Sequence, residues 1–416
     1  MVTPMLRPGE LASVLAPALA GGGLTLVSSC SAESTLLAGE VAAAGAALGA
    51  IDCSGIFVPG LNKASWTASA ESRVTSFFLT PELRKRPGQT RFLPLCYQDI
   101  LAFYRQEAPR AALFMCSPPD EHGHCSFGSE VAFITALWRD IPVRIAHINP
   151  AMPRTPGDPG IPFAALTAAF EGHQPLLATQ AGPPDETSRV IAALVAGLVS
   201  DGATIQTGLG KLPDAVLAAL GSHRDLRLHS GLIGDGALAL LRSGAMAPGR
   251  SAVVGVAIGS QALYQGLDNP HLQFRPVTVT HDPATLATID RLVTINSGLA
   301  VDLFGQVHGE ASLRGYMSGP GGASDYARGA RLGKDGLRII ALPATAGAIS
   351  RIVAPGSGFG PVSLSRFDVD CIVTEYGIAD LRLKDYSQRA AELIAIAAPE
   401  HRDALARAWH GIASLL

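Results

Sequence analysis

The stretch Ala203-Thr-Ile-Gln-Thr-Gly-Leu-Gly-Lys-Leu-Pro-Asp-Ala-Val-Leu-Ala-Ala-Leu, residues 203–220, contains the pattern on which the predicted fold depends. A short apolar run at residues 203–207 is followed by a glycine turn at Gly208 and Gly210, and a helical run begins near Asp214. Strand, tight turn and helix in this order form the building unit of parallel sheets that are covered by helices. The stretch therefore predicts an α/β protein.

The same succession recurs along the 416 residues. Further candidate strands are residues 24–29, 112–116, 143–148, 338–342 and 371–374. Repetition of this unit predicts the α/β class with two tandem open parallel sheets. A polar segment at residues 179–188, rich in proline and glycine, predicts the boundary between an N-terminal α/β domain, 1–182, and a C-terminal α/β domain, 183–416.

The composition excludes several classes of protein. Hydrophobic residues make up 48% of the chain and charged residues 16%, which is typical of large cores rather than of disorder. The 32 basic and 35 acidic residues form no block of either sign, so we expect neither nucleic acid nor a membrane as a partner. Because the sequence shows neither the apolar core of a signal peptide nor a run of membrane-spanning length, we expect a cytoplasmic protein.

The cysteines and one pair of histidines could be interpreted as metal ligands, but we favour a different interpretation for both. The six cysteines lack C-x-x-C spacing, so we expect reduced thiols without a metal or disulfide role. His122 and His124 lie two positions apart in a loop, without a second histidine pair. That arrangement favours a hydrogen-bonded loop over a zinc site. No metal site is predicted.

Three loops carry groups that bind anions or begin helices. The turn Gly208-Leu-Gly210 permits close backbone approach and precedes a helix, so it is either an anion site or a tight strand-to-helix turn. The pair Gly321-Gly322 is either an oxyanion site or a simple turn. The cluster Ser28-Ser-Cys-Ser is interpreted as a helix cap rather than a nucleophile, because serine is a strong N-cap residue.

Longer motifs carry a family resemblance. They begin, in chain order, at Ser117 (S-P-x-D-x-H-G-x-x-S-x-G), Asn149 (N-P-x-M-P-R-T-x-G-D), Gly255, Ile295, Gly321 and Thr374 (T-E-Y-G-I-A-D-L-R). Together they resemble the acetyl-CoA hydrolase/transferase family, which includes class I CoA-transferases for acetate, succinate and 4-hydroxybutyrate. The resemblance runs from about Ala111 to Arg407. It implies the CoA-transferase type of fold, acyl-CoA or coenzyme A and a small carboxylic acid as substrates, no permanently bound cofactor, and a homo-oligomer, at least a dimer.

The resemblance also implies a mechanism. A glutamate carboxylate attacks the thioester to form an acyl-glutamyl anhydride, the CoA thiolate converts this into a glutamyl-CoA thioester, and a second acid collects the CoA. The family pattern I-N-[ST]-[AG]-[IL]-E-[VF]-D-[LI]-x-G-[QN]-V-N aligns with Ile295-Asn-Ser-Gly-Leu-Ala-Val-Asp-Leu-Phe-Gly-Gln-Val-His, which puts Ala300 at the nucleophile position. The other implied catalytic residues are Glu375, Gly321 and Gly322. The implied substrate- and CoA-binding residues are Asn296, Ser297, Gly208, Gly210, Lys211, Gly259, Ser260, Gln261, His229, His308 and Asp325.

The chain departs from the family pattern at several positions. Ala300 has no carboxylate, and both an introduced Glu→Ala substitution and a natural divergence would explain it. The sequence reads His229-Ser-Gly231 where the family has H-T-E, and Gly321-Gly-Ala-Ser-Asp-Tyr where the family has G-G-Q-x-D-F. His308 stands where the family has asparagine. These three changes fall in the implied acyl-binding region, so they indicate an unusual acyl group.

Three functions are compatible with this sequence. The first is CoA transfer between carboxylic acids, with covalent transfer impaired at Ala300. The second is acyl-CoA hydrolysis by water that Glu375 or His308 activates. The third is binding of acyl-CoA without catalysis. Asp302 and Glu310 are weaker candidates for a replacement nucleophile, although Asp302 would share a strand face with Ala300.

Overall fold

The computed structural model describes residues 3–180, 182–313 and 315–415. They form two compact units. The first unit contains the described residues up to Gln180 together with Ala252–Thr280. The second contains residues 182–251 and the described residues from His281 onward. The single boundary predicted at residue 182 does not account for the segment Ala252–Thr280, because this later segment packs with the first unit. The functional assignment of the two domains stays a prediction.

The elements up to Gln180 are short strands alternating with helices. The strands are β1 (Leu24–Val27), β2 (Asp52–Gly55), β3 (Arg73–Ser76), β4 (Thr90–Phe92), β5 (Ala111–Cys116), β6 (His124–Cys125), β7 (Val143–Ile148), β8 (Ile161–Pro162) and β9 (Ala168–Glu171). The helices are α1 (Leu11–Leu19), α2 (Thr35–Ala44), α3 (Pro81–Arg84), α4 (Tyr97–Glu107) and α5 (Ala132–Leu137).

The later part of the chain repeats this alternation. Its strands are β10 (Thr204–Thr207), β11 (Arg227–Ile233), β12 (Ala252–Ala257), β13 (Leu272–Phe274), β14 (Leu292–Asn296), β15 (Ala300–Asp302), β16 (Val307–His308), β17 (Ala311–Ser312), β18 (Gly315–Tyr316), β19 (Leu337–Ala341), β20 (Thr345–Ala346), β21 (Ile349–Ser350), β22 (Ile352–Val353), β23 (Cys371–Thr374) and β24 (Gly377–Asp380). Its helices are α6 (Glu186–Ala196), α7 (Lys211–Ala219), α8 (Asp235–Arg242), α9 (Gln261–Gln265), α10 (Val277–Thr280), α11 (Pro283–Ala287), α12 (Ala323–Leu332), α13 (Tyr386–Ala395) and α14 (Pro399–Ala413).

The first unit is organised around a parallel sheet with the strand order β4-β3-β2-β1-β5-β7-β9. Strand β5 is buried along its whole length, as a continuous apolar run in a parallel sheet should be. Helix α1 packs Leu11 and Leu15 into the same core. Strands β12 and β13 pair in parallel within this unit. The backbone of β12 is bonded to the loop after β6, because Val131 donates to Gly255 and Ala257 donates to Ser129.

In the second unit, strands pair in the order β11-β10-β14-β19-β23-β24. All of these pairs are parallel except β23 with β24, which is antiparallel. Helix α6 is capped by Asp185, whose side chain accepts the backbone N–H of Ser188 at 2.8 Å. The alternation of parallel strands and helices in both units confirms the predicted α/β class with two open sheets.

The cap of the first strand–helix junction differs from the prediction. Helix α2 is capped by Ser34, whose hydroxyl accepts the backbone N–H of Leu37 at 3.0 Å. The cluster that begins at Ser28 is used otherwise, because Ser29 binds the Glu130 carboxyl and the Ser31 hydroxyl donates to a carbonyl of β12. Serine was therefore the correct cap type, but Ser29 and Ser31 bind buried acceptors elsewhere in the unit.

Two further observations concern the chain as a whole. No helix of the described residues is both long enough and apolar enough to cross a membrane. All six cysteines carry free thiols, and five of them are buried. The cytoplasmic location and the oligomeric state stay predictions.

Candidate functional site

Several predicted site residues lie at the carboxyl ends of neighbouring parallel strands in the second unit. Gly208 follows β10, Asn296 ends β14 and Glu375 follows β23. Strand β14 pairs with β10 on one side and with β19 on the other, and β19 pairs with β23. Ligands of open α/β sheets bind beyond this edge. The fold therefore brings these three positions to the edge at which a ligand is expected.

The predicted glycine turn leads directly into helix α7. Gly210 has φ +124° and stands at the N-cap position, a left-handed backbone conformation that favours glycine. Lys211 is the first residue of the helix and is exposed. The first backbone N–H groups of a helix lack partners within the helix, so such a turn stabilises an anion. Gly208 and Gly210 are thus placed as the sequence predicts, and their anion-binding role stays a proposal.

The amide of Asn296 is held by a second amide on the adjacent strand. Asn296 Nδ2 donates to Gln206 Oε1 at 3.0 Å, and Gln206 Nε2 lies 3.3 Å from Asn296 Oδ1. Gln206 is buried, whereas Ser297, which follows the end of β14, is exposed. The pair fixes the Asn296 side chain at the sheet edge and leaves Ser297 accessible.

Ala300 lies in a short hairpin rather than at the sheet edge itself. It is half-buried in β15 and stands opposite His308 of β16. The His308 ring is buried against the loop that contains Gly358, where an added Cβ would lie 2.0 Å from Nε2. Its Nδ1 is 3.3 Å from the Gly360 carbonyl oxygen. His308 is therefore packed against a neighbouring loop, and its predicted substrate contact stays a proposal.

Asp302 and Glu310, the two weaker candidates for a replacement nucleophile, form hydrogen bonds in the same region as Ala300. The Asp302 carboxylate is 1% exposed and accepts the backbone N–H groups of Phe304 and Gln306, at 3.0 and 2.9 Å, and the Gln306 side-chain amide at 2.8 Å. Glu310 is buried and accepts the Ser363 hydroxyl at 2.8 Å. The Asp302 carboxylate holds the local backbone in place, and the Glu310 carboxylate holds the Ser363 side chain. Both carboxylates are buried and already hydrogen-bonded, so neither is placed as an exposed nucleophile.

Glu375 is held by the loop that follows the neighbouring strand. Its Oε2 accepts the backbone N–H of Ala344 at 2.8 Å, and the side chain is half-buried. The Arg351 guanidinium is close enough for charge coupling: burial lowers the pKa of Arg351, and the Glu375 carboxylate acts in the opposite direction. Glu375 therefore sits beside a cation and a backbone donor, and its predicted catalytic role stays a proposal.

A group of three buried rings lies between β11, α12 and the start of α11. His229 and His281 both pack near Tyr326, with ring centroids 6.4 and 4.8 Å from that of Tyr326. Asp325 of the same helix is also buried. Gly322 is the N-cap of α12, so the predicted Gly321-Gly322 turn opens this helix. The structure thus joins two predicted parts, the turn and His229.

His281 is a residue of this cluster that the sequence prediction missed. It lies about fifty positions from His229 in the chain and about forty from Gly322, so spacing gives no indication that the three meet. Burial, and to a smaller extent the neighbouring His229, lowers the pKa of His281 to about 3. The imidazole is consequently neutral at neutral pH. The only indication of this cluster in the sequence is Gly231. Its close approach to the His281 ring is visible only in the structure.

Three predicted CoA-binding residues belong to the first unit. Gly259 accepts the backbone N–H of Thr179 at 3.0 Å. Ser260 is the N-cap of α9, and its hydroxyl accepts the backbone N–H of Leu263. Gln261 is largely exposed, and its amide donates to the Leu176 carbonyl at 3.2 Å. Local backbone contacts therefore account for Ser260, and the predicted CoA contacts of all three residues stay proposals.

The loop with two histidines is built around Asp120. Its Oδ1 accepts the backbone N–H groups of His122 and His124 at 3.0 and 2.8 Å, and Arg154 donates to Oδ2 at 2.6 Å. The backbone bond from His124 is the main reason why the pKa of Asp120 is lowered. The loop is hydrogen-bonded as predicted. In the described parts of the chain, no group of three or more His, Cys, Asp or Glu residues is arranged to hold a metal ion.

A half-buried carboxyl in the first unit was not predicted either. Glu130 accepts the backbone N–H of Ser29 at 2.9 Å and the Ser29 hydroxyl at 2.7 Å. Burial raises the pKa of Glu130 to about 8. The pair borders a small cavity of about 20 Å³ at the carboxyl ends of β1 and β5, which is room for about one water molecule. Its size excludes an acyl-CoA.

Known proteins resemble this chain over most of its length. Residues 259–409 match the model of the acetyl-CoA hydrolase/transferase C-terminal domain. The chain is 36% identical over 330 residues to a 4-hydroxybutyrate coenzyme A transferase of Clostridium kluyveri, covering 76% of this chain and 77% of that protein. It is 34% identical over 357 residues to the succinyl-CoA:acetate/propanoyl-CoA:succinate CoA transferase of Fasciola hepatica, covering 82% and 74%.

A solved structure supports the same relationship. The crystal structure of RipA from Yersinia pestis superposes with a TM-score of 0.87 at 28% identity, covering 98% of this chain and 97% of RipA. A shared architecture alone would show only that the folds are alike. Sequence identity above 30% across three quarters of the Clostridium kluyveri enzyme also shows membership of the same family. This chain belongs to the acetyl-CoA hydrolase/transferase family of enzymes.

Proposed function

We propose that this enzyme moves CoA between an acyl-CoA thioester and a small carboxylic acid. The observation that carries the proposal is the identity of 36% and 34% to two proteins named as CoA transferases. The anion-binding turn before α7, Asn296 and Glu375 at one sheet edge supply groups suited to a thioester and a carboxylate. The departures from the family sequence at His229-Ser-Gly231, at the turn from Gly321 and at His308 indicate that the acyl group is an unusual one.

The covalent route of this proposal has a defined electron balance. A carboxylate oxygen attacks the thioester carbonyl, the C–S bond breaks, and the CoA thiolate leaves with the electron pair. The thiolate then attacks the glutamyl carbonyl of the anhydride and releases the first acid as a carboxylate. A second acid reverses both steps and receives the CoA. Ala300, the proposed nucleophile position, supplies no oxygen for the first attack, so this chain is impaired in that route.

The experiment that tests Ala300 is the substitution Ala300→Glu, with Ala300→Gln as the matched control. Transfer of CoA from acetyl-CoA or succinyl-CoA to a panel of short acids is followed by mass spectrometry of the CoA esters. We expect transfer with Ala300→Glu and none with Ala300→Gln, because only glutamate provides the attacking oxygen. No gain with any acid would remove Ala300 from the nucleophile position.

Hydrolysis is a second candidate, because a water acceptor needs no enzyme carboxylate to carry the acyl group. The missing carboxylate at Ala300 is the observation that favours it. Release of free thiol from acyl-CoA without any acceptor acid distinguishes hydrolysis from transfer. A glutamine in place of Glu375 tests whether that carboxylate activates the water, since the side-chain shape is kept while the base is lost.

A further inference from the structure

The backbone of Arg351 connects two parts of the proposed site. Its carbonyl oxygen accepts the N–H of Val301, the residue after Ala300, at 2.8 Å. Its own N–H donates to the carbonyl oxygen of Ala344 at 2.8 Å. The N–H of the same Ala344 donates to Glu375 Oε2, also at 2.8 Å. Arg351 is therefore held between the proposed nucleophile position and the glutamate that follows β23.

The side chain of Arg351 lacks a partner in the part of the chain that the structure describes. Its Nε is buried and forms no hydrogen bond, and none of the ion pairs between described residues includes this guanidinium. A buried donor that is left without an acceptor costs free energy, and a charged donor costs more than a neutral one. The guanidinium is therefore short of an acceptor on its Nε side.

Other arginines of the second unit have a partner at the same atom. Arg338 Nε donates to Asp370 Oδ2 at 2.8 Å, and Arg402 Nε donates to the Ala397 carbonyl oxygen at 2.9 Å. Both of these arginines are only partly accessible, as Arg351 is. The unpaired Nε of Arg351 is consequently a local property of the proposed site and not a general one of this unit.

The charges around Arg351 leave it able to bind an anion. Burial lowers its pKa, and the Glu375 carboxylate acts in the opposite direction without forming an ion pair with it. Glu375 uses Oε2 to accept the N–H of Ala344. A guanidinium carries five N–H donors and stays protonated at neutral pH, so it can bind another anion while Glu375 remains in place.

The free Nε indicates which kind of anion fits. A carboxylate binds arginine through two parallel hydrogen bonds, and Nε forms one side of such a fork. This pair occupies two of about four lone-pair sites of the carboxylate, so an oxygen lone pair remains for attack on a carbonyl. In CoA transfer, the carboxyl carbon of the acid becomes the carbonyl carbon of the new thioester. The acid must therefore bind beside the reacting groups, which is where Arg351 lies.

We propose that Arg351 binds the carboxylate of the acid substrate through Nε and a neighbouring Nη. The ligand is a small carboxylic acid in its anionic form, and a phosphate of CoA is the competing source of an oxyanion. This inference rests on the proposed function, because it names the residue that holds and orients the acid of the transfer reaction. Binding of the acid requires no nucleophile at Ala300, so it is measurable without turnover.

The test measures binding to the full chain. Sodium salts of acetate, succinate and 4-hydroxybutyrate are titrated at constant ionic strength, and the rise in Tm gives the Kd, since a ligand that binds only the folded chain stabilises it. Acetamide is the uncharged probe, because it resembles acetate in shape. Coenzyme A and inorganic phosphate are titrated as the competing oxyanions.

Three variants separate charge from geometry. Arg351→Gln removes the charge, and Arg351→Lys keeps the charge without the planar fork. The matched control is Arg382→Gln, which removes an exposed arginine of the same unit that pairs with Asp380. The Tm of each variant without ligand reports on any structural role of the side chain.

We expect at least one acid to bind the wild type, and Arg351→Gln to raise its Kd at least about tenfold, because the charge-assisted fork is lost. Arg351→Lys should raise the Kd by a smaller factor, and Arg382→Gln should leave it unchanged. Acetamide should not bind. The Kd of CoA and the Tm without ligand should stay near their wild-type values in Arg351→Gln, since this guanidinium has no partner in the protein to lose.

Four results would overturn the inference. They are the absence of acid binding to the wild type, an acid Kd that Arg351→Gln leaves unchanged, an equal rise in Arg382→Gln, and a loss of CoA or phosphate binding in place of acid binding. The last result would identify a phosphate as the anion at Arg351. A large fall in Tm without ligand, with the acid Kd unchanged, would assign the guanidinium a structural role.

Failure of the proposed function gives a different pattern. If acids bind through Arg351 but neither the wild type nor Ala300→Glu transfers CoA to any acid, the transfer proposal fails while the carboxylate site stands. If Ala300→Glu transfers CoA and the acid Kd does not depend on Arg351, only the present inference fails.

Discussion

Replacing Asp302 by alanine should destabilise the second unit without touching any group that reacts with substrate. The Asp302 carboxylate is 1% exposed and closes the turn between β15 and β16. Three donors point at it: the backbone N–H groups of Phe304 and Gln306 and the Gln306 side-chain amide, at 3.0, 2.9 and 2.8 Å. Alanine leaves all three without this acceptor. The side-chain amide can turn to solvent, but the two backbone donors cannot.

The magnitude follows from the two backbone donors. A buried donor left without an acceptor costs about 1–3 kcal/mol, and since Phe304 and Gln306 are half-buried the sum for both should be about 2–4 kcal/mol. For a unit of about 150–250 residues this corresponds to a fall in Tm of about 4–16 °C. The substitution Asp302→Asn keeps one oxygen for both backbone donors, so it should cost less than about 1 kcal/mol.

The assay is thermal and urea unfolding of the wild type, Asp302→Ala and Asp302→Asn, together with turnover of acyl-CoA by each folded protein. A structural Asp302 predicts a large Tm loss in the alanine variant and near wild-type Tm and turnover in the asparagine variant. If Asp302 were instead the replacement nucleophile, Asp302→Asn would abolish turnover at unchanged Tm. That outcome, or a negligible Tm loss in Asp302→Ala, would refute the reasoning.

Three further predictions concern the framework. Asp370→Ala should lower the free energy of unfolding, measured in urea, by about 3–5 kcal/mol, because the largely buried Arg338 loses its ion-pair partner. Arg338 Nε lies 2.8 Å from Asp370 Oδ2. An unchanged free energy of unfolding would contradict this prediction. Burial raises the pKa of Glu130 to about 8, above its unfolded value of about 4.3, so its stabilising contribution is complete at low pH and is lost as the pH rises towards 8. The Tm of the wild type relative to Glu130→Gln should therefore fall between about pH 5 and pH 8, and a constant difference would count against the shift. Ser34→Ala removes the cap on the Leu37 N–H and should cost about 1 kcal/mol, which Ser34→Asn should partly recover.

The elements were predictable because their signals are local. Strands such as β5 and β23 are continuous apolar runs, because a parallel strand that is buried on both faces requires apolar residues along its length. The cap of α6 at Asp185 is equally local, since side chain and backbone donor are three residues apart. The cap of α2 was misplaced because Ser29 and Ser31 bind partners about a hundred or more residues away, which no local rule detects.

The site was predictable only where a motif is contiguous. The Gly208 turn and Glu375 are placed at a sheet edge by the strands that precede them, so their sequence neighbourhood was sufficient. His281 could not be found in this way. Its significance comes from the space above Gly231 and Gly322, which exists only when three distant segments are packed together. Glu130 was missed for the same reason.

The segment Ala252–Thr280 has a consequence for how this protein is made. Its strand β12 supplies the acceptor for the Ser31 hydroxyl and backbone bonds to the loop at Val131, yet it is translated well after the rest of the first unit. On the ribosome, these contacts of the first unit therefore cannot form until residue 280 has emerged. Fragments that end near residue 182 should for the same reason be poorly soluble, whereas a chain that joins residues 3–180 to 252–280 by a short linker should fold alone.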